Sequence, residues 1–212
     1  MPRNSPSLPP IMTLTQDGLA LSHAEQARAL VDAGARWIQL RMKNAAPDLW
    51  LTTARDVVAI CHAGGSLCTI NDSVDIALAS GADGVHLGSL DEAWTSARAR
   101  LGSGKLIGGT VNFIEDARRA ATASVLDYVG IGPLRFTVTK QKLAPVLGLE
   151  GITALLPLLG GVPAWAIGGA KPADLPALRR AGLAGVAVSS SLYTDNLMAA
   201  NHAAFVDAWS AA

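Results

Sequence analysis

Short apolar runs alternate along the chain with longer stretches whose apolar residues fall three and four apart. These are the periods of buried strands and of amphipathic helices. Runs at 11–15, 37–40, 67–70, 84–87, 105–111, 126–131, 164–167 and 185–188 predict eight strands. The first helix opens on the capping box Ser22-x-x-Glu25 and presents Ala27, Leu30 and Val31 on one face. Seven more are predicted at 47–62, with Pro47 in its first turn, 73–80, 91–101, 115–123, 149–159, 173–181 and 199–209. Gly34, Gly81 and Gly182 each end a helix a few residues before the next strand, the place of a left-handed C-cap.

The strands are mostly unbroken apolar runs, which implies burial on both faces and hence a parallel sheet. Eight strand–helix units without interruption predict an α/β fold of the closed (β/α)8 TIM-barrel type over residues 11–212, preceded by a flexible Pro-rich arm at 1–10. No Gly-x-Gly-x-x-Gly follows the first strand, which weakens an open dinucleotide-binding sheet.

Composition narrows the function classes. Half of the 212 residues are apolar and the formal net charge is zero, so there is no global field to draw nucleic acid or an anionic membrane. The expected partners are small molecules, and the surface is compatible with a homo-oligomer. Cys61 and Cys68 are too few for a disulfide framework or a thiolate metal site and are expected as buried thiols in a reducing compartment. The N-terminus lacks an apolar signal core and no run is long enough to span a bilayer, so a cytoplasmic location is expected.

In a barrel the residues after each strand share one end of the molecule. Gln39, Arg41 and Lys43 follow at i, i+2 and i+4, a spacing that puts all three on one face of extended chain. Asn71 and Asp72 follow the third strand, and Asp91 the fourth. Either aspartate alone could be a helix N-cap. Together, facing cations, they would suit Mg²⁺, which takes one or two carboxylates with phosphate oxygens and water. His86 lies inside a strand and is expected to be a hydrogen-bonded core histidine.

Thr110 and Asn112 stand at the end of the fifth strand. After the sixth, Gly130-Ile-Gly-Pro133 leads to Thr137, Thr139 and Lys140, two hydroxyls and an ammonium suited to phosphate oxygens. Walker spacing is missing, so nucleotide hydrolysis is not indicated. Gly168-Gly169 and Ser189-Ser190-Ser191 follow the last two strands, where barrels commonly bind phosphate on backbone N–H groups. The residues alone indicate a barrel enzyme with a cationic, metal-capable site and two phosphate subsites.

Seven of these segments, in order between Trp37 and Leu192, resemble the thiamine phosphate synthase family. They are Gln39-Leu-Arg-Met-Lys43, Asn71-Asp72, Gly84-Val-His-Leu-Gly88 with Asp91, Gly130-Ile-Gly-Pro133, Thr137-Val-Thr-Lys140, Ala166-Ile-Gly-Gly169 and Val186-Ala-Val-Ser189. The resemblance implies a transferase that joins 4-amino-5-hydroxymethyl-2-methylpyrimidine diphosphate to a hydroxyethylthiazole phosphate, or its carboxylated form. The products are thiamine phosphate and pyrophosphate. It also implies roles. Gln39, Leu40, Arg41, Met42, Lys43 and Asn71 contact the pyrimidine diphosphate, with Thr110 and Lys140 on its diphosphate. Arg41, Lys43 and Lys140 serve catalysis, and Asp72 and Asp91 hold Mg²⁺. Thr137, Val138, Thr139, Gly169, Val188 and Ser189 take the thiazole phosphate.

Five positions depart from the usual pattern: Ser89-Leu90 for Gln-Glu, Thr110 for Ser, Asn112 for His and Ala170 for Ile. Three rivals remain. A thiazole tautomerase would not need the diphosphate grip, and a phosphosugar barrel enzyme would need an acid/base pair that is not evident. A non-catalytic binder of thiamine precursors would bind without turnover.

Overall fold

The computed structural model describes residues 8–43, 45–136 and 145–212. Eight strands, β1 (Ile11–Leu14), β2 (Trp37–Leu40), β3 (Leu67–Asn71), β4 (Gly84–Leu87), β5 (Leu106–Val111), β6 (Tyr128–Ile131), β7 (Ala164–Ile167) and β8 (Gly185–Val188), pair in parallel with their sequence neighbours. Pairing of β1 with β8 closes the barrel. The outer ring is α1 (His23–Asp32), α2 (Pro47–Ala63), α3 (Val74–Ser80), α4 (Trp94–Leu101), α5 (Ile114–Ala123), α6 (Gly148–Leu155), α7 (Leu175–Arg180) and α8 (Met198–Ser210).

Local chemistry accounts for the helix boundaries. Ser22 and Glu25 form the expected capping box: the Glu25 carboxylate accepts from Ser22 N–H at 2.7 Å, and Ser22 Oγ accepts from Glu25 N–H at 3.3 Å. Gly81 ends α3 at φ +77, and Gly34 and Gly182 also sit at positive φ. Two expected helices are shorter than their patterns. The 149–159 segment passes from α6 into a 3-10 turn at Leu156–Leu159, where Pro157 has no N–H to give to an α-helical bond. The 173–181 segment begins as a 3-10 turn at Pro172–Asp174 before α7. α4 starts at Trp94 rather than at residue 91, because Asp91 is committed to a loop.

The strands are buried on both faces, and all but β4 and β5 divide their apolar residues between two clusters. Ile38, Leu40, Cys68, Ile70, Val85, Leu87, Ile107, Val129 and Val186 face the helices in the larger cluster. Met12, Leu14, Trp37, Tyr128, Trp165 and Ala187 form a smaller one inside the barrel. There Trp37 meets Tyr128 and Trp165 edge to face, with ring centroids 4.7 and 5.3 Å apart.

Leu8 packs on this inner cluster, and the carbonyls of Pro9 and Pro10 accept from Trp165 Nε1 at 3.2 Å and Val186 N–H at 2.8 Å. Leu8, Pro9 and Pro10 thus lie against the barrel. Cys61 and Cys68 are buried free thiols in mutual contact. No described helix is long and apolar enough to cross a membrane.

Candidate active site

The C-terminal end of β2 splits its residues by the two-residue period of a strand. Gln39 points into the barrel, where it is buried and its Nε2 donates to Met12 Sδ at 3.4 Å. Arg41 and Lys43 continue the same series past the strand end. Leu40 is fully buried in the cluster between strands and helices, and Met42 packs on that cluster. Leu40 and Met42 thus have only backbone to offer at the mouth.

The two aspartates are not helix caps. Ser73 caps α3 by accepting from Ile76 N–H at 3.2 Å, while Asp72 sits at φ +70 with its own N–H on the His86 carbonyl at 2.8 Å. That left-handed backbone is uncommon outside glycine and is best tolerated by Asp and Asn. It turns the Asp72 carboxylate onto the Lys43 ammonium, with which it forms an ion pair. Asp91 accepts from Gly88 N–H at 2.6 Å, which closes the loop after β4 and brings its carboxyl to Asp72. Burial pushes the Asp91 carboxyl above its usual range. The Gly88 N–H works against this, and the charge and hydrogen bond of Asp72 add to it.

Inside the mouth, polar side chains replace the apolar filling. His86 Nε2 lies 3.0 Å from Thr110 Oγ1 and its Nδ1 3.3 Å from the Tyr128 hydroxyl, so it is the hydrogen-bonded core residue that its place in a strand suggests. Thr69 and Gln39 also hydrogen-bond to Tyr128, whose phenol burial pushes upward. Asn71 and Thr110 are both buried at this level. Asn112 donates from Nδ2 to the Gly132 carbonyl at 2.5 Å and so ties the ends of β5 and β6 together.

Residues 137–144 lie outside the described chain, so Thr137, Val138, Thr139 and Lys140 are not located. The segment before them is. Beyond β6 the chain still pairs with β7, through Leu134 N–H to Ile167 O at 2.9 Å and Arg135 N–H to Gly168 O at 2.8 Å. This approach requires glycine: a Cβ on Gly168, at φ +93, would stand 2.6 Å from Pro133 Cβ.

Arg135 also makes a bidentate pair with Asp174, both bonds at 2.5 Å, and donates to the Gly169 carbonyl at 3.0 Å. Sequence reasoning misses Arg135 and Asp174 as a pair because they stand 39 residues apart. Ser189 follows β8 with its Oγ buried and, among the described residues, without a hydrogen-bond partner. Val188 lies in the outer cluster and can offer only backbone. Ala170, too, packs into that cluster.

The mouth thus collects two cations, two carboxylates in contact, a buried amide, a hydroxyl and a glycine turn, a donor set for phosphorylated ligands and a hard cation. Among the described residues no group of three or more His, Cys, Asp or Glu could hold a metal by itself. The Asp72–Asp91 pair fits an ion that completes its shell with water and phosphate.

Known proteins resemble the chain over most of its length. The profile of the family described as thiamine monophosphate synthase matches residues 11–192. A thiamine-phosphate synthase of Bacteroides fragilis is 41% identical over 175 residues, covering 81% of this chain and 85% of that one. Another, of Myxococcus xanthus, is 42% identical over 186 residues, covering 85% and 80%. The solved thiamine phosphate pyrophosphorylase of Pyrococcus furiosus superposes with a TM-score of 0.85 at 27% identity over 95% of both chains. With family profile, relatives and barrel in agreement, this chain belongs to the thiamine monophosphate synthase family of transferases.

Proposed function

We propose that the chain condenses 4-amino-5-hydroxymethyl-2-methylpyrimidine diphosphate with 4-methyl-5-(2-hydroxyethyl)thiazole phosphate to give thiamine phosphate and pyrophosphate, with Mg²⁺ as cofactor. The observation that carries this reading is the contact of Asp72 with Asp91 against Lys43, both carboxylates free of helix capping. Two ionised carboxylates together are costly without a cation between them. Asp72 and Asp91 would hold Mg²⁺, which when bound neutralises charge on the departing diphosphate.

The chain's own residues supply the rest. The C–O bond between the pyrimidine methylene and the diphosphate breaks first, and the diphosphate leaves with the electron pair. Arg41 and Lys43 meet that charge at the mouth, and the electron-rich aminopyrimidine carries the resulting cation. The lone pair of the thiazole nitrogen then forms the new C–N bond, with the positive charge ending on the thiazolium ring. No proton moves in these two steps, which suits a site whose one inner histidine is bonded to Tyr128 and Thr110. Ser189 Oγ and the Gly168–Gly169 turn would receive the thiazole phosphate and so align the two rings.

The test is to mix purified protein, both substrates and Mg²⁺ and to measure thiamine phosphate. Product is expected, with Asp72→Ala and Asp91→Ala each lowering turnover by roughly 100-fold or more. Failure of the wild-type protein to make product would sink the reaction. Unchanged turnover in EDTA would sink the metal assignment alone.

A further inference from the structure

The end of β1, a plain turn by its sequence, holds the backbone of the cationic segment from behind. Arg41 N–H donates to Thr15 Oγ1 at 3.1 Å, and Lys43 N–H donates to Asp17 Oδ2 at 3.1 Å. His23, the first residue of α1, joins the two acceptors. Its Nδ1 lies 2.9 Å from Thr15 Oγ1 and its Nε2 3.0 Å from Asp17 Oδ1.

In the neutral imidazole with its proton on Nε2, every donor meets an acceptor. Arg41 N–H gives to Thr15, the Thr15 hydroxyl gives to His23 Nδ1, His23 Nε2–H gives to Asp17, and Asp17 also receives Lys43 N–H. Thr15 is fully buried and His23 nearly so. Gln26 pins the loop between them, accepting from Gln16 N–H at 2.8 Å and donating to the Gln16 and Leu21 carbonyls at 2.9 Å.

We infer that Thr15, His23 and Asp17 form a positioning clamp that fixes the backbone of Arg41 and Lys43, and so aims their charges at the departing diphosphate. The second half of this inference rests on the reaction proposed above. Pairing of β2 runs to Gln39 on the β1 side and to Leu40 on the β3 side, so Arg41 and Lys43 lie just beyond the paired residues. Their N–H groups are held by side chains of the loop that follows β1. Thr15, His23 and Asp17 are positioning residues, since their side chains hydrogen-bond to one another and to this backbone.

The test combines amide hydrogen exchange at Arg41 and Lys43, read by NMR on the whole chain, with steady-state kinetics of thiamine phosphate formation. Both amides are expected to be protected in the wild-type protein. Thr15→Val should speed exchange at Arg41 by about 10-fold or more, and Asp17→Ala should do the same at Lys43. Each should lower kcat/KM for the pyrimidine diphosphate about 10-fold while leaving KM for the thiazole phosphate within about twofold. Thr15→Ser keeps the hydroxyl and should restore both readouts.

The clamp is overturned if the two amides exchange freely in the wild-type protein, or if exchange and kinetics are unchanged in both variants. It is also overturned if Thr15→Ser is as impaired as Thr15→Val, or if both substrates' parameters fall together with Tm. Should the wild-type protein make no thiamine phosphate while Thr15→Val still frees the Arg41 amide, the proposed reaction fails and the clamp stands as the device that holds the two cations.

Discussion

Asp91 shows how a single residue's surroundings set both its use and its cost. Burial raises its carboxyl, and Asp72 raises it further. A carboxyl whose pKa rises on folding holds its proton more tightly in the native state. Stability is therefore lost as pH climbs from the ordinary carboxylate range through the raised native one. Asp91→Asn keeps an oxygen for the Gly88 N–H but removes the charge. In metal-free protein this variant should melt above wild type at neutral pH and level with it at about pH 3, where the wild-type carboxyl is protonated. Added Mg²⁺ should raise the wild-type Tm and leave the variant unmoved. A variant that melts below wild type at neutral pH would contradict the like-charge argument.

Between elements, the same reasoning runs with the opposite sign at Asp174. Burial alone would raise its carboxyl, but the Arg135 guanidinium and the Lys171 N–H outweigh burial and hold it below its ordinary range. Such a group stabilises the fold above its unfolded pKa, and the contribution is lost as pH falls through the depressed folded value. Arg135 is half exposed, so the pair is worth only about 1 kcal/mol once solvent screening is allowed for. Asp174→Asn should cost that much in urea unfolding at pH 7 and nothing measurable once pH is well below the carboxylate range. An equal loss at both pH values would assign the effect to packing. The pair matters for position because Arg135 also holds the Gly169 carbonyl, joining the loops after β6 and β7.

At the scale of the whole molecule, the barrel depends on glycines where strands and floor meet. A Cβ on Gly185 would stand 2.0 Å from the Pro10 carbonyl oxygen and 2.3 Å from Trp165 Nε1. Backbone cannot yield as a flexible side chain can, so Gly185→Ala should destabilise the protein by about 1–3 kcal/mol or more. It should also expose the segment around Leu8 to protease. Gly104 has nothing within 4 Å of its Cβ position, and Gly104→Ala should be neutral or slightly stabilising. Comparable losses in the two variants, measured by urea unfolding, would show that the floor contact is not the cause.

Periodicity, glycine spacing and the residues after each run were enough to determine eight strands, eight helices and their closure, because a strand buried on both faces leaves an unbroken apolar run wherever it lies. The same positions named Gln39, Arg41, Lys43, Asp72 and Asp91 as neighbours, since a parallel barrel brings every strand's C-terminal end to one face. Which strand residues face inward was not legible. Leu40, Met42 and Val188 are as apolar as Met12 or Trp165, and only barrel closure assigns each to the outer layer or the inner one. The freedom of Asp72 and Asp91 was equally hidden, because an aspartate before a helix has the same sequence whether it caps or not. Ser73 and the loop closed on Gly88 decided that in three dimensions. Thr15, Asp17 and His23 meet Arg41 and Lys43 only because β1 lies beside β2, and that pairing is a property of the closed sheet.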